Sequence, residues 1–518
     1  MRRFAKPNAA VDKGNAAVCE SENVGLPVKM RQLVKALRKG EGIMSDNKNN
    51  YGWDGLDKEL SEKITEHAKG YMKFLDQSKT ERDAVKIIRF IASENGFKEI
   101  GFAKGLKDGG KAGISEDEID SLKPGDKVFA VNKDKSVYLA VIGSKQLSAG
   151  FNAVGAHIDA PRLDLKQNPL YEDSGFALFK THYYGGIKKY QWTTVPLALH
   201  GVVVLTDGRK IDINIGEDPE DPVFLVTDLL PHLSAKQNAK KVAEGVPAEK
   251  LNIIVGSMPL EGAESENVKS NILALLKEKY GMDEIDFRSA EIEAVPAAKA
   301  RSLGFDSSMV AAYGQDDRVC AYAALAAMFD ISGVPERTSI CILTDKEEIG
   351  SVGNTGMESH NFELFLLDLL EMTGIVHPYA LQRTLSASRA LSADVTAAYD
   401  PTYPEVMEKN NAAFMGRGVS IKKYTGARGK SGASDANAEF VAFVRGIFEE
   451  AGVTYQSSEM GKVDEGGGGT IAYILANRGM DVLDCGVPIH SMHSPYESAS
   501  KYDIYMAYLA YKAFYEKN

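Results

Sequence analysis

The chain has 518 residues, 44% hydrophobic and 26% charged, with a formal net charge of −11. These proportions describe a globular protein with a sizeable core and room for more than one domain. The acidic balance argues against nucleic-acid and anionic-membrane partners, and no run reaches the about 18 apolar residues that span a bilayer.

Cys19, Cys320, Cys341 and Cys485 form no CxxC pair, which points to a reducing, cytoplasmic setting and not to a disulfide framework. Residues 1–43 are basic and lack the apolar core of a secretory signal. We read them as an over-called start or disordered extension: "RKGEGI", just before Met44, is what a purine-rich ribosome-binding site would encode. A weak targeting segment is the alternative.

From Trp53 to Asn95 apolar residues recur at helical spacing in "WDGLDKELSEKITEHAKGYMKFL" and "TERDAVKIIRFIASENG". "DKVFAVNKDKSVYLAVIG" then carries two apolar runs split by a turn, a hairpin signal. "FNAVGAHIDAPRLDL" reads as a buried strand ending in a polar loop. Between 163 and 303 short strand candidates such as "FALFKTHYYGG" and "RKIDINIG" alternate with polar helical stretches, which predicts an inserted β-rich domain. From 304 to 518 strands and helices alternate. "TSICILT" and "DVLDCGV" read as strands, and "VCAYAALAAMFDIS", "NFELFLLDLLEMTG" and "SKYDIYMAYLAYKAFYEK" as helices. The expectation is an α/β catalytic domain in two parts, 44–162 and 304–518, with a mostly parallel sheet and helices on both faces.

Five segments place metal-competent side chains near the ends of apolar runs: "GAHIDAP" (His157, Asp159), "GQDDRV" (Asp316, Asp317), "DKEEIG" (Glu347, Glu348), "LSADVT" (Asp394) and "PIHSMHSPYE" (His490, His493). Taken singly, each is ordinary. An Asp before a helix caps it, and an Asp after a strand turns the chain. As a set they supply what a two-metal site needs: imidazoles, anionic ligands, a bridging carboxylate and a spare Glu as general base. The adjacent glutamates, if extended, would face opposite ways. Neither a GxSxG elbow nor an HExxH helix offers another hydrolytic scheme.

In order and spacing, "VGAHIDAPRLDLK", "YGQDDRVCAYAAL", "TDKEEIGSVG", "LSADVTAAYDP" and "SMHSPYES" resemble the M18 metalloaminopeptidases, the aspartyl aminopeptidase type in its bacterial branch, from about Trp53 onward. The resemblance implies a dinuclear aminopeptidase that removes N-terminal residues from peptides. It implies a catalytic domain interrupted by a β-rich domain and assembly into a tetrahedral dodecamer. It further implies two divalent ions, zinc with cobalt or manganese as alternatives. Asp316 would bridge them, His157, Glu348, Asp394 and His493 would be ligands, and Asp159 would orient His157. Glu347 would be the general base acting on a bridging water. A same-clan carboxypeptidase or deacylase, and an idle assembly protein of the same fold, are the alternatives.

Some residues depart from the family pattern. "YGGIKKYQWTTVPLALHG" lacks an Arg-Asp pair that many eukaryotic relatives carry, which removes one ground for expecting an acidic preference. "VSIKKYTGARGKSG" offers Lys422 or Lys423 where acid-preferring relatives use a lysine. His182 and His232 are the inserted domain's candidates for reaching a neighbouring subunit's site, against an ordinary surface or core role.

Overall fold

Our computed structural model describes residues 51–101, 121–426 and 429–518, so the reading of residues 1–43 lies outside the described residues. The first helical pattern becomes helices Lys58–Gln77 and Glu81–Glu94. Asp57 caps the first by accepting from the Leu60 N–H at 2.7 Å, and Thr80 and Asp83 form a capping box on the second. The hairpin pairs Lys127–Asn132 with Ser136–Val141. The Lys135 N–H closes its turn on the Asn132 carbonyl at 3.0 Å, over Lys133 and Asp134 at positive φ.

Nine strands make the first sheet, in the order Lys98–Glu99, Lys127–Asn132, Ser136–Val141, Thr338–Thr344, Phe151–His157, Arg389–Ser392, Asp481–Gly486, Val419–Lys422 and Tyr455–Ser457. Its centre, from Thr338–Thr344 to Asp481–Gly486, is parallel. Antiparallel pairs join the hairpin on one side and Val419–Lys422 on the other. The fold is α/β and the sheet is mixed.

Strand Thr338–Thr344 shows why polar chemistry gathers at the ends. Cys341 and Leu343 enter one apolar cluster, with Ile88, Val319 and Phe514. Ile340 and Ile342 enter another, with Phe365 and Leu369. A strand covered on both faces is apolar along its middle, which accounts for the unbroken "ICIL" within it. Each fully buried Ile or Leu contributes about 1.5–3 kcal/mol. Charged side chains are therefore confined to where the strand stops.

The second sheet has seven antiparallel strands, all from residues 162–296, with Arg162–Asp173 and Phe176–Tyr184 paired at its middle. Leu163, Phe179, Trp192, Leu199 and Ile292 belong to its own apolar cluster. The reading of "FNAVGAHIDAPRLDL" is corrected here. The polar loop spans only 158–161, and the 12-residue strand Arg162–Asp173 follows at once.

A third sheet was not anticipated. It joins Arg301–Leu303, Met309–Ala312, Glu497–Ser500, Pro488–His490 and Thr396–Ala397, each only two to four residues long. No helix among the described residues is long and apolar enough to cross a membrane.

Candidate active site

Register assembles the site. His157 lies opposite Thr344 and Gly155 opposite Ser392, so three neighbouring parallel strands end side by side. The chain leaving them carries His157 and Asp159, Glu347 and Glu348, and Asp394, at the carboxyl ends where α/β sheets place their sites. The third sheet supplies the rest. It pairs Ala312 with Glu497 and Ile489 with Ala499, which sets Asp316 and His493 beside those strand ends.

Asp316 stands at the centre. His157 Nε2 is 3.2 Å from its Oδ1, and His493 Nε2 is 3.2 Å from its Oδ2. The outer ring nitrogens orient both rings. His493 Nδ1 donates to the Gly186 carbonyl at 2.8 Å, and His157 Nδ1 faces the Asp159 carbonyl at 3.1 Å. With each Nδ1 engaged outward, both Nε2 atoms point inward at Asp316, the orientation that metal-ligating histidines need. Glu348 Oε2 is 3.3 Å from His493 Nε2, and Glu347 Oε2 is 3.9 Å from His157 Nε2. His157, Glu347 and Asp394 offer ligand atoms within 4.8 Å of one another, as do Asp316, Asp317 and Asp394.

The two glutamates separate for a different reason from the one expected. The strand stops at Thr344, Lys346 turns the chain at φ +66°, and Glu347–Ile349 forms a single 3₁₀ turn. Successive side chains there step by about 120° instead of alternating. One carboxylate reaches towards His157 and the other towards His493. Gly350 follows at φ +95°, a conformation glycine adopts without strain.

Two further buried carboxylates hold the backbone of this cluster. Asp159 lies with Oδ1 3.3 Å from His157 Nδ1, and its two oxygens accept the Glu347 and Glu348 N–H groups at 3.1 and 3.2 Å. Glu497 accepts the Asp316 N–H at 3.1 Å and the His493 N–H at 2.8 Å. The sequence reading missed Glu497. Its one signal was an acid four residues beyond His493, inside "SMHSPYES".

The electrostatics suit a cation. Burial, then the charges of neighbouring acids, pushes Glu347 up to about 8 and Asp394 up to about 6. Burial also lifts Glu348 well above the carboxylate range. Asp316 goes the other way, because hydrogen bonds from His157 and His493 outweigh its burial. Glu348 Oε1 is buried without a hydrogen-bond partner. Closely packed acids resist ionising together, and a divalent ion among them removes that penalty. The donor set therefore fits divalent metal.

Asp317 lies within the cluster, and the remaining sequence candidates stand elsewhere. Asp317 is fully buried beside Asp316 at the start of helix Gln315–Phe329, whose N-cap position is Gly314. His490 Nε2 pairs with the Tyr399 carbonyl at 3.1 Å, outside the cluster. Lys422 is buried, with Nζ 2.9 Å from the Val395 carbonyl and 3.4 Å from that of Asp394, so its ammonium is committed to backbone. Lys423 is exposed, as are His182 and His232.

A family model, described as aminopeptidase I zinc metalloprotease (M18), matches residues 74–515. A probable M18 family aminopeptidase 1 of Clostridium acetobutylicum is 48% identical over 475 residues, 91% of this chain and 98% of that protein. The crystal structure of an M18 family aminopeptidase from Thermotoga maritima superposes with a TM-score of 0.83 at 45% identity, covering 90% of this chain and 99% of that one. Aminopeptidase I from Clostridium acetobutylicum superposes at 0.82 with 46% identity, covering 90% and 99%.

Proposed function

The chain belongs to the M18 family and is a metalloaminopeptidase, and from that premise we propose that it works through a dinuclear centre bridged by Asp316. One observation carries the proposal: two imidazole Nε2 atoms face opposite oxygens of a single carboxylate, each at 3.2 Å. A carboxylate so placed could be shared by two cations, one on each oxygen. In this reading His157 and Asp394 complete one site, and Glu348 and His493 the other. Zinc is the proposed metal, with cobalt and manganese as alternatives.

When bound, the ions acidify a water molecule and polarise the substrate carbonyl. Glu347 is left uncoordinated. Its carboxylate takes the proton of the attacking water and returns it to the leaving amine nitrogen. Burial and the neighbouring acids raise its affinity for a proton, and cations nearby would lower it, which suits a group that must both accept and release one. Asp159 holds the Glu347–Glu348 turn and His157 in register, and Glu497 does the same for Asp316 and His493. The substrate's free amine would be held among the remaining acids, which restricts cleavage to the first peptide bond.

The proposal extends to organisation. Residues 163–303 would form an inserted domain for oligomerisation and substrate binding, between catalytic parts 44–162 and 304–518. The assembly would be a cytoplasmic homo-oligomer, a tetrahedral dodecamer by family resemblance. What supports self-association is a run of exposed apolar side chains, including Leu229, Leu233, Val242 and Met258. Hydrolysis of aminoacyl-arylamides and of N-acylated peptides, with and without chelator, tests the function. Chelator-sensitive cleavage of the free-amine substrates is expected. Activity confined to N-acylated peptides would favour a deacylase, and chelator-insensitive activity would exclude the metal mechanism.

A further inference from the structure

We infer that the Tyr184–Gly186 segment, which ends a strand of the second sheet, positions the catalytic centre, and that Tyr184 is its positioning residue. The inference rests on the two-metal reading above. Tyr184 Oη donates to Asp159 Oδ2 at 2.8 Å. That same oxygen accepts the Glu348 N–H, while Oδ1 accepts that of Glu347. The phenol therefore fixes the one carboxylate that orients His157 and holds both glutamates. Its hydroxyl acts through Asp159.

The ring is held in turn. The Arg162 guanidinium lies 4.1 Å from its centroid. Arg162 is bound to Glu81 at 3.0 Å, Glu293 at 3.0 Å and Asp164 at 2.8 Å. A stacked guanidinium with all its edges engaged leaves the tyrosine little freedom.

The next two residues reach the other side of the site. Gly185 sits at φ +73°, and a Cβ there would stand 3.4 Å from Glu348 Cβ and 3.3 Å from Pro161. Gly186 gives its carbonyl to His493 Nδ1 at 2.8 Å, and a Cβ on it would stand 3.3 Å from that nitrogen. The His493 side chain is 33% exposed, more than the 2% of His157, so it has less packing to orient it and relies more on this bond. Three consecutive residues thus brace both halves of the cluster from a sheet that supplies none of its ligands.

The test is zinc affinity, read by competition with a chromophoric chelator, on the full chain and on Tyr184→Phe, which loses only the hydroxyl. Outer partners of metal ligands typically govern about 10–100-fold in affinity. We expect a loss of that size, with kcat reduced, KM little changed and the melting temperature of the metal-free form retained. Gly186→Ala, which crowds His493 from the other side, should weaken zinc independently. Tyr183→Phe, at an exposed neighbour, should change neither. Parent-like zinc affinity in both Tyr184→Phe and Gly186→Ala overturns the inference. So does a Tyr184→Phe variant with a lowered melting temperature but unchanged zinc affinity, since the tyrosine would then be only structural. A parent chain that takes up no zinc overturns the two-metal reading and this inference with it.

Discussion

The first and second sheets meet at one cluster and give it different things. Three ends of the first sheet present His157, Glu347 with Glu348, and Asp394, all as side chains. The second sheet presents a phenol on Asp159 and a backbone carbonyl on His493. The first sheet is packed on both faces, so its ends are fixed by buried apolar layers. The segment 223–260 of the second region leaves Val223, Leu229, Leu233, Val242 and Met258 more than half exposed. The difference separates two tasks. A doubly covered sheet holds the cluster's side chains in place, and a less covered one can steady them from outside while keeping surface free for other contacts.

Substitutions can break or sharpen this division. The largest effect is expected at a strand-end side chain that acts in chemistry. Glu347→Gln should lower kcat by about 10²–10⁴-fold while metal analysis finds its ions retained. If Glu347→Gln were metal-free and Glu348→Gln fully loaded, the two roles would be exchanged. Next comes the platform beneath them. Ile342→Ala opens a cavity in the doubly covered sheet and should cost roughly 2–5 kcal/mol in denaturant unfolding. It should also reduce turnover by shifting the turn that carries the glutamates. Ile213→Ala, buried in the second sheet, should lower stability and leave kcat as it was; equal effects on turnover would erase the distinction.

Metal removal follows. Bound metal at a hundredfold excess over its Kd stabilises by about 2.7 kcal/mol, so chelation should lower the melting temperature, and a chelator-insensitive melt would count against a ligand cluster. The smallest effect is at Glu497. In Glu497→Gln an amide NH₂ must face one of two backbone N–H groups, an unmet bond worth about 1–3 kcal/mol. Calorimetry and zinc titration should both register it.

The side chains that gather in the candidate cluster were legible because a polar residue closing an apolar run stands out against its neighbours. The helices and central strands were legible for the same reason of period. What escaped acts through backbone or through pieces too short to have a period. Glu497 accepts two amides and resembles any loop acid. Tyr184 ends a strand that the pattern showed only as a strand. The third sheet's strands of two to four residues carry no alternation to read. The glutamate pair was located, but its geometry was misjudged. Lys346 turns the chain at positive φ before the pair begins, and nothing in "TDKEEIG" announces a lysine in that conformation.

The most direct test of the bridging claim is metal stoichiometry and affinity in Asp316→Asn. A neutral amide bridges two cations poorly, so both sites should weaken together while the parent chain binds two ions per subunit. An Asp316→Asn protein that holds two ions at parental affinity, or that loses one and keeps the other intact, would contradict the account.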